Sequence, residues 1–197
     1  MSTHEPTSRL VLGPDDHGRP VTADEYAEAD FLEPWKYERR QGRLVVRAPD
    51  SSRHDDVSEP WRDHLGAYKL THPRVVQMVR SEAWVRVAAG TDRIGDIGVY
   101  LVRTPPAPMT DDRVPDLMFE FVSRAARDRK RDYVEKRADS HRLGIREYVI
   151  IDRRRKLVSV LTHTAEGYVE RTLTPKDTYT TPLLPGLAIP LDEALNP

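Results

Sequence analysis

One stretch constrains this chain more than any other. Asp116-Leu117-Met118-Phe119-Glu120-Phe121-Val122 is followed by a basic segment from Arg127 to Leu143, then Gly144, then Glu147-Tyr148-Val149-Ile150-Ile151. The first run reads as a central strand. The middle reads as a helix ended by a glycine just past its last turn. The last run lacks polar alternation, which marks a strand buried on both faces. Strand, helix, strand over residues 116–151 is a βαβ crossover, so the sheet must contain at least two parallel strands.

The remaining segments supply the rest of an α/β architecture. Thr22-Ala23-Asp24-Glu25 is a capping box that opens a short helix through Tyr26 and Ala29, ended by Pro34. Gln41-Gly42 turns into the strand Arg43–Arg47, giving an N-terminal hairpin and helix extension. Val57, Trp61, Leu65 and Tyr68 recur at helical spacing after the start signals Ser52 and Asp55. His54 falls on that stripe, in the first turn. Arg74 to Val87 reads as two short strands about Ser81-Glu82, and Asp96 to Val102 as another. The proline-rich stretch from Thr104 to Val114 reads as a mobile loop, and Leu157–Thr162 and Tyr168–Leu173 as meander strands. Residues 1–20, with Pro6, Gly13, Pro14, Gly18 and Pro20, are expected to form a flexible arm. A single domain is expected over 21–197.

Composition excludes several classes. No apolar run approaches the ~20 residues of a membrane span, and the N-terminus has no apolar signal core. There are no cysteines, hence no disulfide scaffold and no thiolate metal site. A soluble, cytoplasmic protein is expected. Net charge is only −1, but from Arg124 to Lys156 thirteen Lys and Arg stand against six Asp and Glu. This asymmetry suits either a solvated, ion-paired helix face or a surface that attracts phosphates.

The chemistry lies in Asp96 and Glu120, each planted in an otherwise apolar strand. Burying an unpaired carboxylate costs several kcal/mol, so a positive partner is expected between them. A divalent metal and a lysine are the candidates, and together they form an inventory for cutting phosphodiesters. Asp116 and Glu120 share a strand face but stand about 13 Å apart at ~3.3 Å per residue, too far to grip one ion. Asp96, one strand away, is the better partner for Glu120. Asp116 is read as the strand's leading residue, bonding backbone. Lys136, on the following helix, either stabilises charge on a scissile phosphate or pairs with Asp132 one turn earlier. Trp61 and Trp84 are read as core. His72, His141 and His163 show no ligand spacing.

The ordered set Tyr37-Glu38 with Gly42, Ser51 with His54, Asp96-Ile97, Pro115-Asp116-Leu117 with Glu120 and Ser123, Asp132 with Lys136, and Gly144 with Glu147-Tyr148 resembles the bacterial Uma-type family. That family of restriction-endonuclease-like proteins lies within the PD-(D/E)XK nuclease superfamily. The resemblance covers residues 22 to 190. It implies a restriction-endonuclease-like core in which a central mixed sheet is flanked by helices. It further implies a Mg2+- or Mn2+-dependent endonuclease hydrolysing DNA phosphodiesters. Asp96 and Glu120 would hold the metal, Lys136 would serve as the catalytic lysine displaced from position 122, and His54 and Glu38 would border the pocket, His54 as a further metal ligand. DNA would be bound through Arg127, Arg129, Lys130 and Arg131, and a homodimer could form through the N-terminal hairpin and the Leu183–Leu191 segment. The alternative is a non-catalytic nucleic-acid-binding or protein-interaction module on the same fold. The sequence departs from the family pattern at Gly95, where proline is usual, at Ser123-Arg124-Ala125 and at Val149.

Overall fold

The computed structural model describes residues 9–49, 52–105, 108–110, 113–122 and 131–196, with backbone alone for 52–56 and 131–132. The chain forms two compact units, Met1–Pro49 with Ala88–Arg93, and Asp50–Val87 with Ile94–Pro197.

In the first unit β1 (Val11–Leu12) pairs in parallel with β2 (Asp30–Phe31). Between them lie a 3-10 turn (Pro14–Asp16) and α1 (Ala23–Glu28). The Thr22 hydroxyl accepts the Glu25 amide while the Glu25 carboxylate accepts the Thr22 amide, the reciprocal capping anticipated from sequence. α1 stops at Glu28, earlier than Pro34, because Asp30 and Phe31 are drawn into the ladder with β1. β3 (Lys36–Arg40) and β4 (Arg43–Arg47) form a hairpin. Its turn has positive φ at Gln41 (49°) and Gly42 (74°), the twist that two-residue hairpins require. The flexible arm expected over 1–20 is hydrogen-bonded structure from residue 9 onward. Leu12 is fully buried, the Gly18 amide donates to the Leu44 carbonyl at 2.8 Å, and Pro20 bridges to Arg43. Tyr26 meets Phe31 edge-to-face and Phe31 meets Tyr37 at a tilt, with centroids 5.1 and 4.8 Å apart. They give this small unit an aromatic core.

The second unit contains most of a six-stranded sheet in the order β10-β9-β8-β7-β6-β5. Its strands are β5 (Val76–Ala88), β6 (Thr91–Leu101), β7 (Leu117–Phe121), β8 (Glu147–Asp152), β9 (Leu157–Thr164) and β10 (Gly167–Leu173). β7 and β8 pair in parallel, while β6–β7, β8–β9 and β9–β10 are antiparallel. The parallel pair sits at the centre and every residue of both strands is buried. The region expected as two strands before β6 is one strand. Glu82 adopts φ 54°, which kinks β5 without ending it.

Each face of the sheet has its own apolar layer. α2 (Ser52–Thr71) lays Val57, Trp61, Leu65 and Tyr68 against Phe119, Phe121, Val149 and Ile151. The C-terminal segment completes that layer, with β11 (Thr178–Tyr179), β12 (Ile189–Pro190) and α4 (Leu191–Ala194). Leu184, Leu187, Ile189 and Leu191 are buried here, so the stretch expected at a dimer interface belongs to the chain's own core. On the opposite face Met118, Tyr148, Ile150 and Leu161 are covered by Tyr133 and Leu143. These two come from α3 (π-wound over Arg131–Lys136, α-helical over Arg137–Arg142) and its C-terminal end. Trp61 is fully buried, but Trp84 is only half-buried, with the Arg86 guanidinium 5.3 Å over its ring. Of the expected mobile loop, Arg113 is fixed by bonds of 2.5 Å to Gln77 and to the Leu101 carbonyl. No helix among the described residues is long and apolar enough to cross a membrane.

Glu147 lies on the α2 face of β8, accepting hydrogen bonds from Tyr179 (2.6 Å) and Thr181 (3.0 Å). Burial raises its pKa, outweighing those two bonds, which act the other way. A folded-state pKa above the unfolded value means that stability is greatest below the unfolded pKa and declines as pH rises through the folded one. Wild-type protein is therefore expected to gain stability relative to Glu147→Gln as pH falls from 7 toward 5. Urea denaturation of both proteins across that range checks this.

Candidate active site

Three segments of the second unit converge near the end of β7. The paired register runs Ile97↔Phe119, Gly98↔Met118, Val99↔Leu117. It carries the chain of β6 to Asp96 beside the last residues of β7. There the Phe121 amide donates to Asp96 Oδ2 at 2.7 Å. One carboxylate is thus anchored to the peptide that follows the other. Lys136 Nζ lies 2.6 Å from Glu120 Oε2 and donates to the Ile94 carbonyl at 2.9 Å. The ammonium and Glu120 are nearly inaccessible, at 3% and 2%, whereas Asp96 is partly exposed. The structure thus brings Asp96, Glu120 and Lys136 together, with the lysine reaching back across sixteen residues. The pairing with Asp132 considered from sequence falls outside the described side chains.

The winding of α3 explains how the lysine arrives. Arg131–Lys136 is π-wound, a local widening often found where a helix must re-aim a side chain. One face of the same turn is fixed by Tyr133, whose hydroxyl donates to Asp152 Oδ2 at 3.3 Å. Burial first, and the Asp152 carboxylate second, push the Tyr133 phenol up to about 12. Tyr133 and Asp152 carry no sequence signal of their own. Only the register of β8 shows that Asp152 ends the strand beside β7.

The other expected residues divide clearly. Asp116 bonds backbone as the spacing argument required: its Oδ2 accepts the Leu101 amide at 2.9 Å. Arg103 and Arg146 stand 3.3 and 3.8 Å from its other oxygen. Glu38 is buried in the first unit with Arg47 at 3.2 Å and Arg93 at 3.6 Å. Arg39, the next residue in the chain, does not join them, because adjacent strand residues point to opposite faces. Arg39 instead pairs with the buried Asp92 at 2.7 Å. The side chains of His54 and Arg131, and all of Arg127, Arg129 and Lys130, lie outside the described residues. Gly95 is explained by its neighbour: a Cβ there would stand 2.6 Å from Met118 Sδ. A proline before Asp96 would require Met118 to move.

Removing one member of a buried ion pair leaves the other charge stranded, a loss of about 3–5 kcal/mol. Lys136→Met is expected to destabilise by that order, and Lys136→Met/Glu120→Gln by clearly less than the sum of the two single changes. A double-mutant cycle by urea denaturation measures the coupling.

Comparison with known proteins agrees with this architecture. A solved structure described as a putative nuclease belonging to DUF820, from Anabaena variabilis ATCC 29413, superposes with a TM-score of 0.69 at 14% identity. The match covers 89% of this chain and 98% of that one, so the fold is shared. No curated protein matches the sequence. The model of the Uma2 family, described as "Putative restriction endonuclease", matches residues 23–192, and the chain belongs to that family.

Proposed function

We propose that this protein is a metal-dependent endonuclease that hydrolyses DNA phosphodiester bonds at Asp96, Glu120 and Lys136. The observation that carries this reading is the buried ammonium 2.6 Å from Glu120, beside an Asp96 carboxylate anchored to the next peptide. The family description and the shared nuclease fold support it.

The donor set fits a hard cation. Asp96 and Glu120 offer carboxylate oxygens, and Mg2+ characteristically takes one or two carboxylates plus substrate phosphate while keeping several waters. The three charged groups sum to one negative charge, which favours cation uptake. When bound, Mg2+ or Mn2+ supplies Lewis acidity toward the scissile phosphate and lowers the pKa of a water. Partly exposed Asp96 opens the set to substrate, while buried Glu120 fixes Lys136. The ammonium, held also by the Ile94 carbonyl, is a preorganised positive charge where negative charge develops on the phosphate. His54 is proposed as a further ligand to metal or phosphate. Glu38 acts, in this reading, only by holding Arg47 and Arg93.

A non-catalytic nucleic-acid-binding or protein-interaction module is the second reading. It is favoured by Lys136 already neutralising Glu120 and by Val122 standing where the superfamily usually has its lysine. Purified protein is expected to cut plasmid or linear DNA in Mg2+ or Mn2+, and Asp96→Asn or Glu120→Gln to slow cutting at least about 100-fold. Saturable Mn2+ binding by calorimetry, lost in Glu120→Gln, is expected alongside. Neither cutting nor Mn2+ binding in the parent would leave the module as the better reading.

A further inference from the structure

We infer that the β8–β9 turn, Arg153-Arg154-Arg155-Lys156, is a docking site for the phosphate backbone of duplex DNA, next to the site formed by Glu120 and Lys136. This deepens the proposed nuclease reading and rests on it for the identity of the anion.

The placement follows from register. Glu120 is level with Ile150 and Phe121 with Ile151 in the parallel pair β7–β8. Asp152 ends β8 and pairs with Leu157, so the four intervening residues form the connection to β9. The turn therefore opens three residues beyond the level of Glu120, about 10 Å along the strand direction at ~3.3 Å per residue. Duplex DNA presents about six phosphate charges over that length. A polynucleotide engaged at Glu120 would pass within reach of these side chains.

The turn is held in one shape. Buried Asp152 accepts the Arg155 amide at 3.1 Å, and the Lys156 amide donates to the Arg153 carbonyl at 3.2 Å. Lys156 takes φ 52°, the left-handed conformation that closes such a hairpin. Its side chains face outward: Arg154, Arg155 and Lys156 are exposed and Arg153 partly so.

Four consecutive cations set this turn apart, since isolated ones such as Arg74, Arg80 and Lys176 also lack an ion-pair partner among the described residues. Arg39, Arg47, Arg93, Arg103, Arg137, Arg142 and Arg146 all stand beside carboxylates. Arg153, Arg154 and Lys156 have no ion-pair partner among the described residues, and Arg155 leans toward Tyr133. Four consecutive cations repel one another, and the carboxylate of Asp152 beside them is taken up by the Arg155 amide and the Tyr133 hydroxyl. An external polyanion relieves that repulsion, and four closely spaced cations match a phosphate backbone better than a single small anion. Such contacts hold and orient the duplex without reading its sequence.

The test is DNA binding by the full-length protein in EDTA, read by anisotropy of a fluorescein-labelled duplex across a salt titration. Arg153→Gln/Arg154→Gln/Lys156→Asn keeps the turn, because asparagine tolerates positive φ. It is expected to weaken binding at least tenfold and to lower the slope of log affinity against log salt by about 2 to 3. Arg153→Lys/Arg154→Lys retains the charges and is expected to keep the slope. A control removes equal charge at the opposite end of the sheet, with Lys69→Ala/Arg103→Ala/Arg142→Ala, and is expected to bind like the parent. No binding by the parent, an unchanged slope in the turn variant, or an equal loss in the control would each overturn the inference. If the turn variant loses binding while the parent fails to cut DNA in Mn2+, the docking site stands and the nuclease reading falls. If the parent cuts and the turn variant binds unchanged, only the docking site falls.

Discussion

A charged contact ties the crossover helix to the centre of the sheet. Lys136 spans from α3 to Glu120 at 2.6 Å and to the Ile94 carbonyl at 2.9 Å, with both charged groups buried. A buried ion pair is rarely the most stable filling for such a space, since desolvating two charges offsets much of their attraction. Hydrophobic residues of equal volume would serve packing as well or better. Its presence among the apolar side chains of β7 and α3 is therefore more informative about chemistry than about stability. The same ammonium that fills the helix–sheet contact holds one acid in place beside another acid reachable from solvent.

The two faces of the central sheet have different tasks. The α2 face is a continuous apolar layer in which Trp61 packs on Phe119, Phe121 and Tyr179 at centroid distances of 5.5 to 6.4 Å. The buried carboxylate of Glu147 in that layer is satisfied by hydroxyls instead of cations, and burial raises its pKa. The α3 face carries the charged groups: Glu120 with Lys136, and Asp152 with Tyr133. Ordinary core on one side thus gives a rigid platform for ionic groups on the other, which is how precise positioning is commonly obtained.

The first unit shows the same preference for buried ionic ties. Arg39 with Asp92, and Glu38 with Arg47 and Arg93, link its hairpin to the segment 88–93. A unit this small has little apolar area to bury, so aromatic stacking and multiply bonded charges take a larger share of its cohesion. The residues expected to form a loose arm are drawn into it because Leu12 has an apolar layer to enter and Gly18 a carbonyl to bond.

Local pattern settled much of this molecule in advance. The capping box at Thr22, the turn at Gln41-Gly42, the stripe of α2 and the fully apolar β8 each follow from spacing or propensity, because the forces involved act within a few residues. The two strand-borne acids and the crossover lysine were also legible, since an unpaired carboxylate in an apolar strand calls for a positive partner. What stayed hidden depended on register and long-range contact. The joining of β5 across Glu82, the burial of the C-terminal leucines and the arginine partners of Glu38 could not be read from neighbours in the chain. The same holds for Asp152 beneath the basic turn. Sequence determined which charges must find partners; tertiary structure alone decided which partners they found, because a pairing across strands depends on three-dimensional register that no local stretch encodes.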